Sequence, residues 1–297
     1  MTNYLRMENM EKKSQTLNTP KVIASLLAVI VLILAQGLSL LIGNLSVMIG
    51  LPAAIGNIIA GIFYPFITLL GLWILCKKIL KLSLADCKIT KPRFRLIWCM
   101  AAFIMPALVC VVLIFMPGHW ENTSPDTKAV WDLVTGAVCF YGFAVGIVEE
   151  AVFRGVIMSA LEYRWNKWVA VIVPSVIFGL LHIIGNDLDF LSIVQLLIAG
   201  SIVGILFSMV TYASRSIWCS ALMHGIWNIV MVGGILHIGI RADETSIFNY
   251  VLDTKSFLIS GGDFGVEASI ISVAAYFLFT LLAVWVYKKG AGMKAGN

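Results

Sequence analysis

The sequence predicts an all-α fold, a polytopic bundle of about eight helices that cross a membrane. Three observations predict this fold: 60% of the residues are hydrophobic, only 12% are charged, and the mean hydropathy is +0.95. Soluble domains carry about 25% charged residues, so this composition is typical of a membrane protein. The basic residues lie in separate loops and form no clustered basic face, which argues against nucleic-acid binding.

Eight apolar runs are long enough to span a bilayer as helices. A helix needs about 20 residues to cross about 30 Å of hydrocarbon, and it satisfies its own backbone hydrogen bonds there. The predicted spans, in chain order, cover residues 21–43, 51–76, 96–116, 133–161, 168–185, 192–213, 216–239 and 268–287. Pro65, Pro106 and Pro174 fall inside three of these runs, where we expect kinks.

The basic residues predict how these spans are oriented, because cytoplasmic loops carry an excess of Lys and Arg near span ends. Of the 21 Lys and Arg residues, 17 fall in the N-terminal tail, in alternate loops and at the C-terminal end. The opposite loops carry only Lys128, Arg241 and Lys255. Both termini are therefore predicted to be cytoplasmic, in a multi-pass protein of the plasma membrane.

The stretch GIVEEAVFRG places Glu149, Glu150 and Arg154 inside the fourth predicted span. Each charged side chain at the middle of a span costs roughly 2.5 to 3.5 kcal/mol on insertion scales. Glu150 and Arg154 are four residues apart, so they share a helix face and can pair. Glu149 is rotated by about 100° from Glu150, so it can point into a polar cavity. The alternative is a buried ion pair that only locks helices together.

Two further stretches add polar side chains to the spans. FGLLH places His182 on the same helix face as Phe178 in the fifth span, and HGIWN places His224 and Asn228 on one face of the seventh. At ~1.5 Å rise per residue, Glu149, His182 and Asn228 lie ~18–21 Å from the cytoplasmic ends of their spans. The corresponding distance for His224 is ~12 Å. Helices of opposite direction thus bring these groups to a similar depth, as a single buried site requires.

The remaining histidines, the cysteines and the longest loop have no predicted chemistry. His119 and His237 fall in or near external loops and should lie outside the site. The six cysteines show no CxxC spacing, so neither a disulfide framework nor a thiolate metal site is predicted. Residues 240–267 form the largest external feature and are expected to be a solvated connection.

The predicted site is a hydrated pocket that contains a glutamate, two histidines and an asparagine. These groups can hydrolyse an amide bond without a covalent nucleophile. A desolvated carboxylate can take a proton from water and later give it to a leaving amine. One histidine can orient that water, while another and a carboxamide donate hydrogen bonds to the oxyanion. Other intramembrane protease classes lack their motifs here: HExxH and GxSxG are absent, and SGGDFG lacks the partner motif of aspartyl enzymes.

The three stretches together resemble a known family. EEAVFRG, FGLLH and HGIWN match, in order and spacing, the motifs EExxxR, FxxxH and HxxxN of the CPBP family, also called the Abi or CAAX-prenyl-protease-like family of intramembrane endopeptidases. The resemblance covers about residues 130–240, which are therefore expected to be the catalytic core. Residues 1–20 are expected to form a cytoplasmic tail, and residues 21–129 the first transmembrane helices with a basic cytoplasmic loop. Residues 241–297 are expected to form an external loop, the last transmembrane helix and a cytoplasmic tail.

The resemblance implies a role for each motif residue. Glu149 would activate water with help from His182. His224 and Asn228 would stabilise the oxyanion. The supporting residues would be Glu150, Arg154 and Phe178.

Metal dependence stays open on the residues alone. Glu149, His182 and His224 could bind Zn²⁺ through one carboxylate and two imidazoles, leaving a coordination position for water. The same residues could act without a metal, and this is the mechanism that we favour.

Two functions from different classes remain. The first is an intramembrane endopeptidase that cuts a peptide precursor or a membrane-protein substrate within the lipid bilayer. The second is a non-catalytic membrane protein, for example an immunity or regulatory protein, that binds a peptide or membrane partner through the same pocket. The intact motifs favour the first. A transporter is a weaker third reading, because polar residues at mid-membrane also mark ion paths.

Overall fold

A computed structural model of the chain describes residues 17–295. Residues 1–16 of the predicted N-terminal tail and the last two residues lie outside the described part. Eight helices of at least 14 residues follow one another within it. They are α1 (Thr19–Met48), α2 (Ala53–Leu80), α3 (Leu96–Ile114), α4 (Thr127–Arg164), α5 (Lys167–Leu181), α6 (Phe190–Ser214), α7 (Trp218–Met231) and α8 (Ile270–Ala295).

Six of these helices, α1 to α4, α6 and α8, are long and apolar enough to cross a membrane. The prediction of a helical, multi-pass membrane protein is therefore confirmed. The other two predicted spans form shorter helices, of 15 residues in α5 and 14 in α7. Because a full crossing needs about 20 residues, the count of eight complete spans stays a prediction.

The seventh predicted span, residues 216–239, extends beyond the C-terminal end of the helix that the structure shows. Helix α7 stops at Met231, and the chain turns at Gly234, whose φ of 72° lies in the left-handed region. It then continues as a strand. Apolar composition alone did not reveal this end, because Ile235, Leu236 and Ile238 keep the run hydrophobic beyond the helix.

A three-stranded sheet replaces parts of the predicted external loops and the end of the seventh predicted span. Strands β1 (Gly118–Asn122), β2 (Leu236–Gly239) and β3 (Phe248–Leu252) follow α3, α7 and the loop after β2. Strand β3 lies in the centre, antiparallel to β1 and parallel to β2. Strands of four or five residues are too short to show a clear alternation of apolar and polar positions, so the sequence pattern did not predict them.

Three of the basic loops lie together at one end of the bundle. Lys88, in the loop after α2, donates to Glu162 near the end of α4 at 2.8 Å. Arg95 donates to the carbonyl oxygen of Ala213, at the end of α6, also at 2.8 Å. The loops after α2, α4 and α6 therefore share one face, as the predicted alternation requires. That this face is cytoplasmic stays a prediction.

Helix α4 changes its hydrogen-bond pattern around the acidic pair. Gly136–Val145 and Ala151–Ile157 are π-helical, and the single α-helical segment Gly146–Glu150 lies between them. π-helical turns are rare and are often found at functional sites. Because a π-helix has more residues per turn, side-chain directions along α4 differ from those of the regular α-helix that the sequence analysis assumed.

Glycines allow α4 and α7 to touch through their backbones. A Cβ added to Gly225 of α7 would lie 2.6 Å from the carbonyl oxygen of Gly142 in α4. One added to Gly146 would lie 2.9 Å from the carbonyl oxygen of Ala221. Small residues spaced four apart are typical of close helix pairs in membranes. This contact fixes the distance between the acidic pair and His224.

Replacing Gly225 by alanine should force these two helices apart. We expect the free energy of unfolding to fall by about 1–3 kcal/mol, as for other overpacked positions. The measurement is thermal unfolding of the purified protein in detergent. Gly37→Ala in α1 is the matched control, because a Cβ there meets nothing within 4 Å. Equal melting temperatures for the two variants would contradict the prediction.

Candidate active site

A cavity of about 260 Å³ opens among α4, α5, α6, α7 and the segment before α8. Its wall includes Glu149, His182, His224 and Asn228, together with Phe178. The structure thus brings the four side chains with predicted chemistry, which come from three parts of the chain, to one space. Their catalytic roles stay a proposal, which is argued below from the contacts of each side chain.

Glu150 and Arg154 form an ion pair inside the bundle, with no side-chain surface exposed on either residue. Nη1 of Arg154 lies 2.9 Å from Oε1 of Glu150. The guanidinium also lies over the ring of Phe178, 4.5 Å from its centroid, and near that of Phe207 at 5.4 Å. Cation–π contacts of this kind stabilise a desolvated guanidinium. The pair is therefore sealed from the cavity, where a substrate would bind.

His224 joins this ion pair to the cavity. Its Nδ1 lies 3.1 Å from Oε1 of Glu150, and its Nε2 lies 3.7 Å from Oε2 of Glu149. The ring of Phe207 stacks on the imidazole at 4.9 Å, which holds its orientation. Because Nδ1 faces a carboxylate, that nitrogen carries a proton, and Nε2 is the atom that faces Glu149.

Glu149 differs from Glu150 in its access to water. The Glu149 side chain is 18% exposed, whereas that of Glu150 is fully buried. Oε2 of Glu149 makes no hydrogen bond with any residue in the described part of the chain. A buried carboxylate oxygen of this kind needs a donor, and a water molecule in the cavity can supply one.

His182 lies at the C-terminal end of α5. Its Nδ1 is 2.8 Å from the carbonyl oxygen of Phe178, so Nδ1 donates and Nε2 is an acceptor in the neutral ring. Within residues 17–295, His182 forms neither a hydrogen bond nor an ion pair with Glu149. Any cooperation between the two residues therefore has to pass through a ligand or a water molecule between them.

Asn228 is fixed by a neighbour that the sequence analysis missed. Its Nδ2 donates to the carbonyl oxygen of Tyr141 in α4 at 3.0 Å. A carboxamide has two N–H donors, so a second donor remains for a ligand. Tyr141 gives no sequence signal, because the contact uses its backbone and depends on the π-helical course of α4.

The cavity wall also includes Trp227, Glu267 and Tyr276, polar residues that helix spacing did not place at the site. Trp227 Nε1 donates to Oε2 of Glu267 at 2.9 Å, and the hydroxyl of Tyr276 donates to the Glu267 carbonyl oxygen at 3.1 Å. The end of the loop at residues 240–267 is thus part of the cavity, although we expected a solvated connection. The glycines of SGGDFG were the available signal, since they permit a tight turn back toward the bundle.

The donor set does not fit a zinc ion. Zinc ligands lie about 2.0–2.3 Å from the metal, so three donors must converge closely. In the part of the chain that the structure describes, no group of three His, Cys, Asp or Glu residues is placed to hold a metal ion. His224 and His182 each direct Nδ1 at an oxygen and leave Nε2 free, so the lack of convergence, and not a lack of free nitrogens, is what argues against zinc. The mechanism below therefore has no metal-dependent step.

The other two histidines and the cysteines lie outside this arrangement. His119 on β1 is exposed and lies 3.4 Å from Asp253. His237 on β2 contacts the carbonyl oxygen of Arg241 at 3.0 Å. All six cysteines are free. None of these residues lines the cavity of the candidate site.

A comparison with protein families gives a match to the region that holds the cavity. Residues 130–230 match the family described as Rce1-like, type II CAAX prenyl endopeptidase. The matched segment runs from the first turn of α4 to the end of α7 and contains the seven residues with predicted site roles. A search of the curated proteins and a search of the solved structures each gave no significant match.

Proposed function

We propose that the chain is an intramembrane endopeptidase of the CAAX protease family, whose model it matches over residues 130–230, and that Glu149 activates the water that cleaves the peptide bond. The observation that carries this proposal is the contrast between two adjacent carboxylates. Glu149 is open to the cavity and lies 3.7 Å from an imidazole, whereas Glu150 is neutralised by Arg154. Only Glu149 is therefore free to exchange a proton with a bound water molecule.

The attack begins with water held between Glu149 and His182. The acceptor Nε2 of His182 orients one O–H of this water, and Glu149 removes the other proton. The water oxygen forms a bond to the carbonyl carbon of the substrate, which gives a tetrahedral intermediate. Glu149 then returns its proton to the amide nitrogen as the C–N bond breaks, so the amine leaves neutral and the enzyme is regenerated.

The negative oxygen of the intermediate is stabilised by His224 and Asn228. Asn228 donates its second N–H. His224 donates through Nε2, which lies 3.7 Å from Glu149, in the form of the ring that carries a proton on both nitrogens. A preorganised donor of this type contributes roughly 10²–10³ in rate in other enzymes.

The proposed substrate is a peptide precursor or a membrane-associated protein. We propose that the protein lies in the plasma membrane and that its active site opens to the cytoplasm. A bacteriocin or signalling-peptide precursor fits this description. Because the matched family is named for CAAX prenyl proteins, a prenylated C-terminal peptide is the first alternative to compare.

The function is tested with purified protein in proteoliposomes. A peptide library, with matched farnesylated and unmodified CAAX-type members, is incubated with these vesicles and with empty ones. We expect mass spectrometry to detect new peptide termini only with the protein present. An immunity or regulatory protein would bind library members and leave them intact, which would overturn the proposal.

Chelation should leave this activity in place. With no metal-dependent step, we expect the cleavage rate to stay within about twofold of the untreated value after exhaustive dialysis against a tight Zn²⁺ chelator. Rates are measured on the same peptide before and after dialysis. Loss of activity on chelation, with recovery on addition of Zn²⁺, would show that the reaction needs a metal and would contradict the metal-free mechanism.

A further inference from the structure

The glycine-rich stretch SGGDFG folds back from the loop into the cavity wall. Gly261, Gly262 and Gly265 all have positive φ, of 81°, 64° and 95°. A Cβ on Gly261 would overlap the carbonyl oxygen of Gly265, so only glycine fits this turn. The turn delivers Phe264 and Glu267 to the cavity, opposite the helix that carries Glu149.

Hydrogen bonds connect residues 263–268, which include the end of this turn, to helix α6 on one side and to helix α8 on the other. The backbone N–H of Asp263 donates to Oγ of Ser192 in α6 at 2.9 Å, and Gln195 donates to the carbonyl oxygen of Ala268 at 2.9 Å. On the other side, Ser272 of α8 donates to the carbonyl oxygen of Val266 at 2.6 Å. Such a set of hydrogen bonds makes the segment a fixed part of the cavity wall and holds Glu267 in place.

Glu267 presents a carboxylate that the proposed mechanism does not use. One oxygen accepts a hydrogen bond from Trp227, and the other has no hydrogen-bond partner among residues 17–295. Burial raises the pKa of this carboxyl group, because the charged form loses its hydration. A desolvated carboxylate of this kind gains most from a partner that carries positive charge.

The only basic side chains of the described residues that line the cavity are His182 and His224, whose imidazoles act on Glu267 from the opposite wall. The carboxylates of the cavity are Glu149 and Glu267, and no Lys or Arg of the described chain lines it. The guanidinium of Arg154 is paired with Glu150 and does not line the cavity. With two carboxylates, the cavity has an excess of negative charge even when His224 carries both ring protons, and a ligand with a cationic group would neutralise it.

We propose that Glu267 is a substrate-binding residue that pairs with a Lys or Arg side chain close to the scissile bond. This inference rests on the proposed function and adds the class of substrate that the cavity selects. Pairing uses the free oxygen of Glu267 and leaves its bond to Trp227 intact. Phe264, which lies beside His182 with ring centroids 6.5 Å apart, contacts the alkyl part of the same side chain.

The inference is tested with pairs of peptides that differ only by lysine or norleucine next to the cleaved bond found in the library. We expect Glu267→Gln to lower kcat/KM about tenfold on the lysine peptide and less than about twofold on the norleucine peptide, as for a lost charge pair. Glutamine can still accept the bond from Trp227. Glu267→Asp retains the charge and should retain the lysine preference.

Glu244→Gln is the matched control, because this exposed glutamate lies in the loop away from the cavity. It should leave both rates unchanged. Cleavage without a lysine preference, or an equal loss on both peptides in Glu267→Gln, would overturn this inference and leave the proposed function standing. If the wild-type protein cleaves no peptide, the proposed function fails and this inference fails with it.

Discussion

Glu149→Gln is expected to abolish peptide cleavage while the protein still folds and inserts. Glutamine has nearly the same size but cannot take a proton from water. Loss of a general base lowers rates by about 10²–10⁴, and we expect at least about 10³ here because the same group also protonates the leaving amine. The measurement is the initial rate in proteoliposomes on one library peptide at equal protein concentration.

Two controls make the Glu149 result specific. Glu244→Gln removes an exposed carboxylate and should retain full activity. Thermal unfolding of Glu149→Gln should match that of the wild type, because Oε2 of Glu149 makes no hydrogen bond with the described residues. A rate within tenfold of wild type would mean that Glu149 is not the base. The non-catalytic alternative would then regain support if library peptides bind without being cleaved.

Arg154→Met is expected to cause the largest loss of stability of any single substitution at the site. Methionine fills much of the same space but removes the guanidinium from the buried carboxylate of Glu150, which keeps only His224 as a polar partner. Breaking a buried ion pair in this way costs about 3–5 kcal/mol. The measurement is the free energy of unfolding in detergent, or the melting temperature where unfolding is irreversible.

The double variant Glu150→Gln with Arg154→Met separates lost packing from an unpaired charge. It removes both charges, so we expect it to be more stable than Arg154→Met alone. Arg164→Met, an exposed substitution at the end of the same helix, should have little effect. A double variant no more stable than the single one would show that Arg154 acts through packing, for example against Phe178.

The membrane architecture could be predicted from the sequence because the bilayer restricts which backbone structures can cross it. A segment in hydrocarbon must satisfy its own backbone, so a long apolar run is almost always a helix. Helices α1 to α4, α6 and α8 follow from this rule. It does not mark where a helix turns into a short strand, so it placed the end of the seventh span at residue 239, beyond Met231. It also missed the sheet, whose strands pair across distant parts of the chain.

The candidate site was predictable to the extent that its contacts are local. Glu150 and Arg154 are four residues apart and pair as helical spacing predicts. The depth of each residue along its helix did not reveal that His224 contacts both glutamates, because these contacts depend on the glycines between α4 and α7 and on the π-helical turns. The position of Glu267 in the cavity could not be predicted for a different reason. It depends on a turn of three glycines, and contacts with helices that are distant in the sequence determine the conformation of that turn.

The most direct test of the account is an experimental structure with a peptide analogue in which a tetrahedral phosphonate replaces the scissile amide. The proposed mechanism predicts one phosphonate oxygen within about 3.2 Å of both Nε2 of His224 and Nδ2 of Asn228, and another within hydrogen-bond distance of Glu149. A phosphonate bound outside the cavity, or held there by other side chains with Glu149 turned away, would contradict it.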